Sequence, residues 1–207
     1  MKTLLHVGCG RQSTEILPPF DFENEWREVR VDIDPSVEPD VIDDIATLSK
    51  IPDGSAAMVF SKHNIEHLES HVVPQCLASF YRVLGDRGFA TIRTPDLEGI
   101  CRRVIEHGPE KPLYRAKVYD EEHDVMALDM LFGASWEIAK GNRFMAHRTA
   151  FTKRTLFRKL REAGFEGVEI RTVPNGLELF AMAMKKVENN LFWEVTGRVQ
   201  SMADVPE

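Results

Sequence analysis

Long hydrophobic runs are missing from this sequence. No apolar stretch approaches the roughly 18 residues that a membrane-spanning helix needs. Gly8 and Gly10 interrupt the apolar run at the N-terminus. The expectation is therefore no membrane association and no signal peptide. Cysteine is scarce as well: Cys9, Cys76 and Cys101 are widely spaced and form no C-x-x-C pair. That excludes an even-numbered disulfide framework and predicts a reducing, cytoplasmic setting. Positive charge is in deficit, with 26 Lys and Arg against 33 Asp and Glu, a net charge of -7. An acidic chain repels a phosphate backbone, so no nucleic-acid partner is expected. Internal repeats and low-complexity segments are also lacking.

What remains is an ordinary globular balance. The chain has 207 residues, 43% of them hydrophobic. That suits one domain with an elaboration and enough apolar material for a core. The first informative stretch is Leu4-Leu5-His6-Val7-Gly8-Cys9-Gly10. It reads as a short buried strand ending in a turn that glycine permits, where backbone can press against a ligand. In open α/β sheets ligands sit outside the carboxyl ends of strands, so a nucleotide-like cofactor is indicated.

The rest of the chain alternates. Strands are predicted at residues 3–8, 28–33, 41–42, 56–61 and 89–94. A short helix falls between Arg11 and Phe22, limited by Pro18-Pro19. A helix-like stretch covers His63 to Leu68. The apolar residues from Val72 to Leu84 keep helical spacing, with Gly85 as C-cap. Residues 97–150 break the alternation and read as mostly helical, with Val125, Leu128, Leu131 and Phe132 on one face. Thr152 caps a helix carrying Leu156, Phe157 and Leu160. Two last strands, 168–173 and 177–185, are joined by Pro174-Asn175-Gly176, and Asn-Gly is the strongest short hairpin signal. The order predicts an α/β fold: a Rossmann-like three-layer sandwich with a mostly parallel seven-stranded sheet and a C-terminal antiparallel hairpin. The domain spans 1–187, with 97–150 as a lid over an acceptor pocket and 188–207 as a tail.

On these residues the chain resembles the class I S-adenosylmethionine-dependent methyltransferases. It looks most like small members whose first motif reads Leu-His-x-Gly-Cys-Gly. The resemblance also runs through Asp32, through Asp44-Ile45-Ala46-Thr47-Leu48, and through Pro52-Asp53-Gly54-Ser55. Further along it takes in His63 to Leu68, Pro95-Asp96-Leu97, His147 to Phe151 and Ala163-Gly164-Phe165. It implies S-adenosylmethionine as cofactor, held by His6, Gly8, Cys9, Gly10, Asp32, Ile33, Asp44, Ile45 and Ser61. Within that set Asp32 would hold the ribose hydroxyls and Asp44 would lie near the adenine. It further implies a small-molecule or sugar-like acceptor methylated at a hydroxyl or amine. The chain departs from the family pattern at His6, often acidic, at Gln12, often glycine, and at Ala57, often aspartate.

A methyl on a sulfonium is already activated, so the enzyme mainly aligns the acceptor behind it. A hydroxyl or amine acceptor also needs a base, and histidine titrates near neutrality. The catalytic candidates are His63, Glu66, His67 and His147; no metal role is assigned. Each also has a plainer reading. Asp32 and Asp44 can cap turns, His67 can bond a carbonyl, and His6 can be a satisfied strand residue. Trp136 and Phe144 either line the acceptor site or pack the lid. His63-x-x-Glu66-His67 also matches an inverted zinc-protease motif, with both histidines as ligands. A nicotinamide enzyme lacks support because Ser13 stands where its third glycine belongs. The third rival is a binding protein on the same fold without turnover.

Overall fold

The alternation read from the sequence is realised in the computed structural model, which describes residues 1–11, 25–118 and 121–187. The expected helix after Arg11 and the expected tail at 188–207, with Leu191, Phe192 and Trp193, lie outside the described residues. Seven strands form the main sheet. They are β1 (Lys2–Val7), β2 (Trp26–Asp32), β3 (Val41–Ile42), β4 (Ala56–Lys62), β5 (Leu84–Pro95), β8 (Gly167–Thr172) and β9 (Glu178–Met184). Their order is β3-β2-β1-β4-β5-β9-β8. The first five run parallel. Strand β9 runs antiparallel to both β5 and β8. The closing hairpin turns at Asn175-Gly176 as expected, with Gly176 at φ +77°.

Period-two alternation splits the core between the two sheet faces. Leu5, Val7, Val59, Ala90, Ile92 and Ala181 pack with helix residues in one cluster. Leu4, Met58, Phe60, Phe89, Phe180 and Met182 form another. Helix α1 (Val73–Val83) buries Val73, Cys76, Leu77, Phe80 and Val83 against the first. Its valines are poor helix formers, while Pro74 in the first turn is tolerated. At about 1.5–3 kcal/mol for each fully buried large apolar side chain, burial of this stripe rather than propensity holds α1. Helix α5 (Lys153–Glu162) is capped by Thr152, whose hydroxyl accepts from the Thr155 amide at 3.2 Å. It buries Leu156 and Leu160 but leaves Phe157 exposed.

Several local expectations need correction. Gly85 is not a helix cap: α1 passes straight into β5 at Leu84, whose side chain is fully buried and pairs with Ala56. The stretch His63–Leu68 is not a full helical turn on one face but a loop with a short 3-10 turn, Ile65–His67. The segment 97–150 is not helical throughout. Helix α2 (Leu97–His107) is followed by a separate antiparallel pair, β6 (Pro112–Val118) and β7 (Glu121–Met126). The short helices α3 (Ala127–Phe132) and α4 (Ser135–Ala139) come after it. Val125 therefore lies on a strand, while Leu128 and Phe132 are exposed. The segment's Ile100, Val125, Ala127 and Met130 form a further apolar cluster with Leu177 of the closing hairpin.

Two glycines fix where this elaboration sits. A Cβ on Gly99 would stand 1.9 Å from the Gly176 carbonyl oxygen, and one on Gly133 would stand 1.9 Å from that of Met145. Backbone thus touches backbone where α2 meets the β8–β9 hairpin and where α3 meets the loop before His147. Among the described residues no helix is long and apolar enough to cross a membrane.

Candidate active site

The carboxyl edge of the parallel strands gathers the first group of residues. Strand β1 ends at Val7, and Gly8 and Gly10 follow with φ of +61° and +54°. The Cys9 amide donates to the Val31 carbonyl at 3.3 Å, which folds the turn toward β2. Asp32 ends β2. Its Oδ2 accepts from the Gly10 amide at 2.8 Å and its Oδ1 from the Asp34 amide at 3.0 Å. Arg30 Nη2 donates to the Gly10 carbonyl at 2.6 Å. Burial pushes the Cys9 thiol up to about 11, so it stays protonated.

The two glycines are held for different reasons. A Cβ on Gly8 would lie 2.7 Å from Asn64 Cβ, while among the described residues nothing lies within 4 Å of one on Gly10. Asn64 braces the turn: its Nδ2 donates to the Val7 carbonyl at 2.5 Å, and Ser61 Oγ donates to its Oδ1 at 2.6 Å. Sequence reasoning missed Asn64, because nothing local marks an asparagine after β4 as the partner of a glycine turn 56 residues earlier.

Gly8, Cys9, Gly10, Asp32 and Ile33 meet at this edge, and Ile33 is 46% exposed although apolar. Asp44 and Ile45 lie in the loop after β3, beside the edge strand of that group. Asp44 Oδ1 accepts from the Ala46 amide at 2.8 Å, so this carboxylate caps a turn. His6 and Ser61 are buried and already partnered. His6 Nδ1 pairs with Glu28 Oε1 at 2.8 Å with its ring edge on Phe60, and the Ser61 hydroxyl is spent on Asn64.

The second group lies past β4. His63 sits at φ +52°, and its amide donates to the Arg93 carbonyl at 2.9 Å. Its Nδ1 is 3.2 Å from Glu66 Oε1 and its Nε2 is 3.3 Å from Glu178 Oε1. Arg93 pairs with the same Glu178. Burial works against charge on His63, yet Glu178 and then Glu66 overcome it and raise its pKa to about 10. Burial likewise opposes ionisation of Glu178, but His63 and Arg93 hold its carboxyl at about 2. The ring is 31% exposed, but both of its nitrogens face carboxylates. His63 is therefore an imidazolium at neutral pH, with no lone pair to accept a proton or bind zinc. The zinc-protease reading needs His63 as a ligand and loses it here.

The other candidates converge. Glu66 is buried; its Oε2 accepts from Thr94 Oγ1 at 2.9 Å. Burial would raise its pKa, but His63 foremost keeps it below the usual value. Both ring nitrogens of His67 face carbonyls, Nδ1 toward Ala146 at 3.2 Å and Nε2 toward His63 at 3.0 Å. His147 lies on the loop after α4, with its Nδ1 3.0 Å from the Met130 carbonyl. The His67 and His147 rings meet edge to face at 4.8 Å. Burial lowers the pKa of His147, which keeps it neutral. The Arg148 and Thr149 amides donate to the Glu66 carbonyl at 2.8 and 3.2 Å, tying this loop to the 3-10 turn. Between them lies a cavity of about 10 Å3 lined by Glu66, Thr94, Pro95, Met130 and His147. Trp136 stacks on His123 at 4.4 Å and packs within the elaboration, whereas Phe144 is exposed. Glu178 and Arg93 also escaped sequence reasoning: they come from two distant strands that only the antiparallel register brings together.

No protein-family model and no curated protein matches the chain. Solved structures do. One is the 1,6-didemethyltoxoflavin-N1-methyltransferase of Burkholderia thailandensis, solved with 1,6-didemethyltoxoflavin and S-adenosylhomocysteine bound. The match has a TM-score of 0.55 at 17% identity and covers 89% of this chain and 71% of that one. A SAM-dependent methyltransferase from Archaeoglobus fulgidus gives 0.57 at 16% identity, covering 89% and 86%. The chain has the class I methyltransferase fold. A possible exported protein from Bordetella parapertussis shares it with a TM-score of 0.56 at 15% identity, the match covering 89% of this chain. This chain spans only 62% of that protein's length. In the methyltransferase fold described here, the glycine turn and Asp32 stand at the carboxyl edge of β1 and β2, and the histidine group stands past β4 and β5.

Proposed function

We propose that the chain binds S-adenosylmethionine at the Gly8–Gly10 turn and transfers its methyl group to a hydroxyl or amine of a small-molecule acceptor. The observation that carries this reading is the pairing of Gly10 with Asp32. An open left-handed glycine sits 2.8 Å from a carboxylate at the end of the neighbouring strand. That is a cradle for a ribose: the carboxylate accepts hydroxyl protons and the bare glycine lets the ligand approach. Exposed Ile33 next to it offers an apolar face for an adenine ring. When bound, the cofactor supplies a methyl group already activated on a sulfonium.

The chain's own contribution is alignment and proton management. Holding the acceptor in line can supply roughly 7–11 kcal/mol of the barrier. The elaboration at 97–150 covers the Thr94–Pro95 end of β5 and excludes water from the acceptor. Glu66, His67 and His147 are the groups toward which an acceptor's proton can move, since His63 already carries one. Calorimetry of the purified chain with S-adenosylmethionine and with its demethylated product tests the reading without knowledge of the acceptor. Micromolar binding of either is expected; binding of neither overturns it.

A further inference from the structure

We propose that Glu66, His67 and His147 form a seat for one divalent transition-metal ion, with the carbonyl oxygen of Ala146 as a fourth donor. The ligand atoms of the three side chains lie within 4.8 Å of one another. Bonds of about 2.0–2.2 Å set neighbouring ligand atoms about 3.3–3.6 Å apart on one tetrahedral ion. Loading therefore requires the three to close by about an ångström. A water-sized cavity of about 10 Å3 borders Glu66 and His147 but not His67, so it adjoins the seat on the side of β5.

The second-sphere contacts already point the ligands inward. Metal-binding histidines usually donate the other ring N–H to a carbonyl or carboxylate. His147 does so through Nδ1 to Met130, which leaves Nε2 free. Glu66 is steadied by His63 and Thr94, and each of its oxygens keeps a further lone pair. His67 is placed in the same way: its Nε2 lies 3.0 Å from the His63 carbonyl oxygen and its Nδ1 lies 3.2 Å from that of Ala146. With Nε2–H donating to His63, an ion can be shared by Nδ1 and the Ala146 oxygen. The 3.2 Å between those two atoms is close to the spacing of neighbours on one ion. Two imidazoles with oxygen donors favour zinc or a neighbouring first-row ion over magnesium.

The ion's place beside an acceptor rests on the methyl-transfer reading; its binding does not. A bound ion would lower the pKa of an acceptor hydroxyl, so that His147 would serve as ligand and not as base.

The test uses the full-length chain after chelator treatment. Equilibrium dialysis with Zn2+ and with Mn2+ should give one ion per chain. Losing a ligand should cost more than losing a second-sphere partner, which alone costs about 10–100-fold in affinity. His67→Gln and His147→Gln should each therefore weaken binding at least about tenfold, while exposed His71→Ala leaves it unchanged. Should either glutamine variant unfold, the wild-type chain answers alone. Substoichiometric Mn2+ should broaden the ring proton signals of His67 and His147 before those of His71, His107 and His123. Stoichiometric binding lost in both variants, or broadening in that order, supports the seat. Absent binding, unchanged variants, or broadening confined to His71, His107 and His123 overturns it. Cofactor calorimetry on the metal-free chain separates the two readings. Cofactor binding without ion binding overturns only the seat, and ion binding without cofactor binding overturns only the methyl-transfer reading.

Discussion

Nε2 of His63 lies 3.3 Å from Oε1 of Glu178, although 115 residues separate them. The contact reaches from the loop after β4 to the start of β9, across the end of β5. With Glu66 at Nδ1 it surrounds one imidazolium with two buried carboxylates. Removing one partner of a buried pair costs about 3–5 kcal/mol because the remaining charge is stranded. The ring is partly exposed, so His63→Ala should destabilise the fold by about 2–4 kcal/mol. The double variant His63→Ala/Glu66→Gln should recover part of that loss, since without His63 the buried Glu66 keeps only the Thr94 hydroxyl, whereas Glu178 keeps Arg93. Urea denaturation of the three proteins measures this, and equal stability of all three would show the pair to be idle.

The same pair sets a pH window. The His63 pKa rises from 6.5 to about 10 on folding. Its contribution is therefore complete below pH 6.5 and fades as pH climbs toward 10. The Glu178 pKa falls from 4.5 to about 2. Its contribution is complete above pH 4.5 and fades as pH drops toward 2. Stability from this pair should peak between pH 4.5 and 6.5 and decline on both sides. Denaturation midpoints from pH 3 to 9 should show it, and His63→Ala should flatten the alkaline limb. An alkaline limb unchanged in the variant would assign that decline to other groups.

Much of the fold was legible because its signals are local. Alternating apolar runs, the Thr152 cap and the Asn175-Gly176 turn each fix an element within a few residues. The glycine turn and Asp32 were legible for the same reason, both ending predicted strands. The failures have a shared cause. Leu84 starts β5 without a break because burial against its sheet partner overrides the cap signal of Gly85. The β6–β7 pair hides among charged residues with no core of its own until α2 and α3 cover it. His63 looked like a base because a sequence shows an imidazole but not the carboxylates that surround it. One of those, Glu178, comes from a strand with an otherwise apolar pattern.

Gly8 and Gly10 should respond differently to alanine. Both have positive φ, a strain of order 1–3 kcal/mol for a residue with a Cβ. Gly8→Ala adds a clash with Asn64 at 2.7 Å, which displaces the bond to Val7. It should lose both stability and cofactor binding. Gly10→Ala meets nothing within 4 Å among the described residues, so the protein should fold with only the strain penalty. Its new methyl occupies the proposed path of the ligand, so affinity for S-adenosylmethionine should still fall. Thermal denaturation with calorimetry separates the two effects. Full affinity in a folded Gly10→Ala protein would move the cofactor away from this turn.

Asp32 carries the sharpest test of the cofactor site. Its carboxylate already accepts two backbone amides, from Gly10 and Asp34, so it both closes the turn and presents lone pairs at the carboxyl edge. A carboxylate has about four lone-pair sites, which leaves room for two ribose hydroxyls. Hydrogen bonds to a charged group are worth about 1.5–3 kcal/mol, and 1.4 kcal/mol is about tenfold in affinity. Asp32→Ala should weaken S-adenosylmethionine binding by roughly 10- to 100-fold. Asp32→Asn keeps one acceptor oxygen and should lose less. Because the side chain also holds Gly10, the alanine variant loosens the turn itself. The comparison must therefore include thermal denaturation of both variants without ligand. Equal melting temperatures with unequal affinities would assign the loss to the ribose contact. Unchanged affinity in a folded Asp32→Ala protein would place the cofactor elsewhere and leave the Gly10–Asp32 bond as a purely structural clasp between β1 and β2.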